Sequence, residues 1–268
     1  DGRVNAAWSD KDLTVSNTNT GTSAATIRFI NDARDNKIQY CKIKGVSQNQ
    51  SGGVICFATA HSSGLLGNND NTITQNDISG DGLIRPVHVI FSQGTIGAEN
   101  SNDSVVDNNI FDFLDPASTS GGIFLFSGTS NWVITGNSFY EPSALNPVAN
   151  GEYFAIKVLN SGSDYYVSGN YIGGAASGCG GIRFTKSGNG DNLFRAIYFE
   201  ATSGIIRANT IANIDWINNG AAYWTGIHIE EGQVSVGGTS INDGNIIGDS
   251  TGSNSITYIA GDQFARFT

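Results

Sequence analysis

Ile73-Thr74-Gln75-Asn76-Asp77-Ile78 decides the fold. It reads apolar, two spacers, Asn, one spacer, apolar. The phrase returns as Val105-Val-Asp-Asn108-Asn-Ile110 and Ile134-Thr-Gly-Asn137-Ser-Phe139. Two further copies are Val167-Ser-Gly-Asn170-Tyr-Ile172 and Ile206-Arg-Ala-Asn209-Thr-Ile211. Looser copies flank these five. Ile38-Gln-Tyr-Cys41-Lys-Ile43 has Cys in place of Asn, and Ile241-Asn-Asp-Gly-Asn245-Ile-Ile247 has one extra residue. From Cys41 through the Asn positions to Asn245 the steps are 35, 32, 29, 33, 39 and 36 residues. A period of roughly 20–50 residues marks a solenoid, propeller or array.

The phrase reads as a short strand, a bend and a second short strand. Asn suits the bend because its side chain bonds to backbone and it tolerates the left-handed region. Stacked from coil to coil, such amides form an internal ladder. Each coil then buries its apolar face only against its neighbours. The expected fold is all-β: a right-handed parallel β-helix of about eight coils, with long loops on some of them.

Composition agrees. The chain has 268 residues, 35 Gly, only 4 Pro and 14% charged residues. Turns are therefore dense, and no long stretch carries the 3.6-residue helical period. One domain over 1–268 is expected, with 1–24 as a polar lead-in or incomplete first coil. No apolar run reaches membrane-spanning length, so no membrane insertion is expected. The formal charge of −10 argues against nucleic acid, whose binding requires clustered Lys and Arg. Cys41, Cys56 and Cys179 read as buried free thiols, with a Cys41–Cys56 disulfide as the alternative. The chain starts at Asp1, lacks Met throughout and shows no cap helix before its first coil. Excision from a longer chain with adjoining domains is the expectation.

Each Asn phrase follows an earlier strand. These are expected at Ile27–Ile30, Val54–Phe57, Val87–Phe91, Ile123–Phe126, Phe154–Val158, Ile182–Thr185, Ile227–Glu230 and Ile256–Ile259, with Leu193–Glu200 as an insertion. Their outward residues give a stripe: Arg28, Ile55 or Phe57, His88, Phe124 or Phe126, Lys157, Arg183, then His228 with Glu230. Adjacent coils lie about 4.8 Å apart, a spacing comparable to a sugar repeat, so a polysaccharide could follow the stripe. Trp216 and Trp224, in the loop 213–224, could stack on a sugar ring, and Tyr198, His88 and Asp215 complete the candidate binding residues. A catalytic alternative uses the same face. Glu200 and Glu230 would be the paired carboxylates of a hydrolase. Arg183, Lys157 or His228 would serve a lyase acting on a uronic-acid polymer. Asp70, Asp103, Asp112 and Asp115 are too scattered for a recognisable Ca²⁺ loop. No metal site or cofactor is expected beyond a Ca²⁺ ion under the lyase alternative. His61, His88 and His228 lack metal-ligand spacing, and Thr18, Thr20 and Thr22 are too few for an ice-binding array.

Asn71-Thr-Ile-Thr-Gln-Asn76-Asp-Ile-Ser, Asn131-Trp-Val-Ile-Thr-Gly-Asn137-Ser-Phe and Gly204-Ile-Ile-Arg-Ala-Asn209-Thr-Ile resemble the repeats of pectate-lyase-like parallel β-helix proteins. The resemblance covers roughly residues 25–260. The tail from Ser235 to Tyr258 is similar to long repeat proteins on the surfaces of Bacteroidetes-like bacteria. The resemblance implies an extracellular or cell-surface setting and a structural or adhesion role. The catalytic Arg and Asp pattern of pectate lyases and the paired-Asp motif of polygalacturonases do not match here. No family catalytic residue is carried over.

Overall fold

The computed structural model describes residues 1–6, 9–58, 65–188, 190–249 and 255–261. Trp8 and His61 lie outside them. The chain winds as a parallel β-helix: strands pair in parallel throughout its sheets, with isolated antiparallel bridges only at turns such as Asp81–Ile84.

Three sheets form the walls. The leading sheet precedes the Asn corner and contains Lys37–Gln39, Thr72–Thr74, Ser104–Val106, Val133–Thr135 and Tyr165–Ser168. The trailing sheet follows the corner. Its strands are Thr14–Asn17, Lys42–Gly45, Asp77–Ser79, Asn109–Phe111, Ser138–Tyr140, Tyr171–Ile172, Thr210–Ile211 and Ile246–Ile247. The broad sheet contains Ile27–Phe29, Ile55–Ala58, His88–Gln93, Ser120–Leu125 and Gly151–Leu159. Asn192–Arg207 and Trp224–Val236 serve both the broad and the leading sheets, with irregular register between Phe199 and Ser203 where they turn.

Like residues stack in columns. Ile73, Val105, Ile134, Val167 and Ile206 are register partners in the leading sheet, and all are fully buried. Ile43, Ile78, Ile110, Phe139, Ile172 and Ile211 form the matching column of the trailing sheet. Burying one such side chain stabilises by about 1.5–3 kcal/mol relative to leaving it exposed.

The Asn ladder runs between these columns. Asn108 Oδ1 accepts from Asn76 N at 2.9 Å and from Asn76 Nδ2 at 3.0 Å. The same double bond joins Asn108 to Asn137, Asn137 to Asn170, Asn170 to Asn209 and Asn209 to Asn245. Each Nδ2 also donates to a leading-strand carbonyl one coil earlier, as Asn137 does to Val105 O at 2.8 Å. Cys41 begins the run by donating its N–H to Asn76 Oδ1.

One detail of the bend differs from expectation. The left-handed residue is the one before Asn: Tyr40, Gln75, Asp107, Gly136, Gly169 and Ala208 all have φ between 54° and 68°. That twist turns the chain, leaving the Asn amide free to point inward and bond along the axis.

A second ladder stands five residues upstream. Asn36 bonds to Asn71 Oδ1, and Asn71 N and Nδ2 both donate to Asp103 Oδ1 at 2.8 and 3.0 Å. Asp103 is fully buried and its Oδ2 has no hydrogen-bond partner. Burial pushes its carboxyl up to about 8.

The lead-in covers the first coil. Gly2 is buried, donates to Gln39 O and accepts from Leu13 N, both at 2.9 Å, while the Arg3 guanidinium lies over the Tyr40 ring. The last coil is bare by comparison. Ile229, Val236 and Ile247 are 41%, 50% and 47% exposed, although their register partners Phe199, Ile206 and Ile211 are fully buried.

Three strand assignments change, Ile256–Ile259 among them. Leu193–Glu200 is the broad-sheet strand of its coil rather than an insertion. Ile182–Thr185 is not; Phe184–Lys186 instead joins Ile214–Ile217 and Ile256–Ile259 in a separate parallel side sheet. Both segments alternate, so pattern alone could not choose between them. The side sheet is anchored from within by Lys186, whose buried Nζ donates to Gly190 O, Ile217 O and Asn218 Oδ1 at 2.6–2.7 Å. All three cysteines are free thiols, so the Cys41–Cys56 disulfide does not form.

Candidate functional site

Register fixes the outward row of the broad sheet. It reads Arg28, Cys56, Phe91, Phe124, Lys157, Tyr198 and His228, of which Cys56, Phe91 and Tyr198 are buried. Arg28, Phe124, Lys157 and His228 stand where the sequence placed them. Cys56 replaces Ile55 or Phe57, Phe91 replaces His88, and Tyr198 replaces Arg183. The core alternates with this row: Ile55, Ile90, Ile123, Ile156 and Ile197 point inward and are fully buried.

The row and its neighbours form an aromatic strip with charge at one end. Phe91 and Phe124 pack edge to face at 5.6 Å between centroids, and half-buried Phe126 lies 5.5 Å from Phe124. Lys157 Nζ sits 5.6, 5.4 and 5.1 Å from the ring centres of Phe124, Phe154 and Tyr198. Those distances are within cation–π range. The Arg195 guanidinium lies 4.9 Å from the Tyr198 ring centre and 5.5 Å from that of Tyr223, and donates to Tyr223 Oη at 2.7 Å. His228 lies 5.3 Å from Tyr198, ring to ring.

Each full cation of the charged end has a carboxylate. Glu152 accepts from Lys157 at 2.7 Å through Oε2 and from Arg195 at 2.5 Å through Oε1. His228 Nε2 is 2.8 Å from Glu230 Oε2. The Tyr198 hydroxyl donates to Glu200. Its phenol is held well above the usual tyrosine range, first by burial and then by the hydrogen bond and charge of Glu200. Beyond Glu200 the strands turn, and Gly232 takes φ +103, where a Cβ would strike Ala201 O. A groove of about 480 Å³ opens there, lined by Asn160, Ser161, Glu200, Thr202, Glu231 and Gln233. Glu200 and Glu231 are register partners across it.

Other expected site residues are buried or lie elsewhere; His88 stays within the strip's aromatic cluster, its ring 5.6 Å from Phe91 and 5.2 Å from Phe124, but is buried. Trp216 and Trp224 are fully buried, so neither offers a ring face to a ligand. Trp216 donates Nε1 to Asn192 O at 3.0 Å, and Trp224 stacks on Phe194. Their segment reads as a loop, but Trp216 lies in the side-sheet strand Ile214–Ile217 and Trp224 opens the strand Trp224–Val236. His88 is 1% exposed and bonded to Gly52 O at 3.1 Å; burial lowers its pKa to about 4, leaving the ring neutral. Arg183 pairs with Asp215 on the side sheet and donates to Thr257 Oγ1 at 2.8 Å, away from Lys157 and His228. Sequence reading missed Glu152 and Arg195. Arg195 was within reach, since it alternates with Phe194 and lies three residues before Tyr198.

The scattered acids are used singly. Arg85 Nη2 meets Asp112 at 2.9 Å and lies 3.1 Å from the buried Glu141 carboxylate. Asp115 Oδ1 accepts from Ala117 N at 3.0 Å. Among the described residues no three His, Cys, Asp or Glu side chains converge as a metal site would require. No described helix is long and apolar enough to cross a membrane.

No protein-family model, curated protein or solved structure matches this chain.

Proposed function

We propose that the chain is a non-catalytic glycan-binding module of a secreted or cell-surface protein, and that it holds a polysaccharide along the strip on its broad sheet. The strip carries the reading. Phe124, Phe126 and Tyr223 are its part-exposed rings, Phe91 and Tyr198 are buried beside them, and successive coils step by about 4.8 Å. Half-exposed Phe124, Phe126 and Tyr223 offer apolar faces to sugar rings, while Lys157, Arg195, Tyr198 and His228 offer polar edges to hydroxyls. Rigid neighbouring strands keep this surface organised before binding, which lowers its entropic cost. Membership of the pectate-lyase-like group, adjoining domains and an adhesion or stalk role are part of the same proposal; the Asn-centred coils support the first of these.

Retention of the purified chain in gels cast with soluble polysaccharides tests the reading. Tyr223→Ala and Phe124→Ala should each weaken retention by about tenfold, the effect of losing a central aromatic contact. Retention unchanged in both variants would place binding elsewhere.

A second reading has its own observation. Glu200 and Glu231 are carboxylates on paired strands that line one groove, and Glu200 also accepts from the Tyr198 hydroxyl. Paired carboxylates are what glycoside hydrolysis uses, and a base beside a polar groove suits a lyase. New reducing ends, or unsaturated products absorbing in the near ultraviolet, that vanish in Glu200→Gln would favour this reading over simple binding.

A further inference from the structure

We propose that the strip selects neutral over acidic polysaccharides, an inference that rests on the glycan-binding reading and names its ligand class. It follows from how charge is matched on this face. An acidic glycan presents carboxylates or sulfates along its length and needs cations with no partner of their own. The strip supplies none at its charged end. Glu152 spends both its oxygens on Lys157 and Arg195, one each. His228 faces Glu230, and Glu200 accepts from Tyr198. Counting full charges, Lys157 and Arg195 stand against Glu152, Glu200 and Glu230, and Glu231 lies just beyond across the groove. The face is net negative even before the chain's −10 is considered.

Arg28 is the other cation of the row. It bonds to Ser23 O at 3.0 Å, in the first coil, four coil steps from Lys157. That is roughly 19 Å at the strand spacing, and exposed charges are largely screened over such a distance. An anionic polymer on the strip would meet Glu200 and Glu230 as like charges, which costs affinity. A neutral polymer meets the same oxygens as acceptors for its hydroxyls. It also meets two cations already fixed in place by Glu152, with donor hydrogens to spare.

The test uses the whole chain in affinity electrophoresis. The neutral gels contain a β-glucan or a galactomannan, and the acidic gels contain polygalacturonate or alginate. Retardation is expected in at least one neutral gel and in neither acidic gel. It should change little between about 0.05 and 0.5 M NaCl, because no counterion exchange drives it. Retardation by acidic gels alone, lost with salt, overturns the selectivity and leaves glycan binding standing. Equal retardation by both classes overturns it too. Retardation by none removes the glycan-binding reading itself. Glu152→Gln supplies a second measurement. With its circular dichroism unchanged, this variant frees both cations and should gain salt-sensitive retardation by polygalacturonate. A folded variant that gains nothing refutes Glu152 as the source of selectivity.

Discussion

Asn137 shows what one side chain does in this fold. It is fully buried, and its Oδ1 receives two bonds from Asn108 while its Nδ2 serves Val105 O and Asn170 Oδ1. Asn137→Ala orphans donors above and an acceptor below, at about 1–3 kcal/mol for each buried group left unpaired. Asn245→Ala should cost less, because this half-buried rung has only Asn209 behind it. Denaturant titration of the two variants measures the difference. Asp103 gives a pH signature. Its folded carboxyl titrates near 8, against roughly 3.9 when unfolded. Between those values the unfolded chain binds fewer protons, so stability falls as pH rises from about 4 to about 8 and levels above. Asp103→Asn should flatten that slope and add about 1–3 kcal/mol at pH 8. Melting temperature followed across pH checks both statements. Residues of this kind were only partly legible. The Asn column was plain from its flanking apolar residues. The second column was equally regular, with Asn36, Asn71 and Asp103 each five residues ahead of Cys41, Asn76 and Asn108, but it carries no apolar frame to mark it. The left-handed residue before Asn was hinted at by Gly136 and Gly169, and hidden where Gln75 or Ala208 bears the strain.

At the scale of elements, the side sheet decided what the sequence could not. Phe184–Lys186 and Asn192–Arg207 each alternate well enough to be the broad strand of one coil. The winner is the longer strand, which pairs with Gly151–Leu159 along its length. The loser packs beside it, carrying Arg183 off the stripe and burying Trp216. Alternation reports that one face of a strand is buried, not which neighbour buries it. The strip's charged end therefore emerged only from register, through Glu152, Arg195 and Tyr198. Lys186 fastens this arrangement, and Lys186→Met should take the donor from Gly190 O and Ile217 O, while Asn218 Oδ1 keeps Asn192 N. The expected loss is at least about 2 kcal/mol. Hydrogen exchange should accelerate at Phe184–Lys186 and Ile214–Ile217 while the Asn ladder stays protected.

The whole molecule is a stack in which each coil answers mainly to its neighbours. Equivalent positions should then differ in cost according to their place in the stack. Ile211 and Ile247 are register partners, yet the first is fully buried and the second 47% exposed. Ile211→Lys buries an unpaired charge and should cost more than about 3 kcal/mol; Ile247→Lys should cost under about 1 kcal/mol. Denaturant midpoints of the two variants compare them directly. Equal losses would mean that the last coil is packed as tightly as those inside.

The Asn ladder also has an electrical sense. From Asn108 to Asn209 every rung points its side-chain carbonyl toward the preceding coil and one Nδ2–H toward the next. A peptide-like amide carries a dipole of roughly 3.5 D, and dipoles aligned head to tail add and polarise one another. In a strongly acidic protein, the axis from Cys41 to Asn245 thus becomes a polarised filament with its positive pole at the bare last coil. The direction in which the coils stack is also the direction of that dipole.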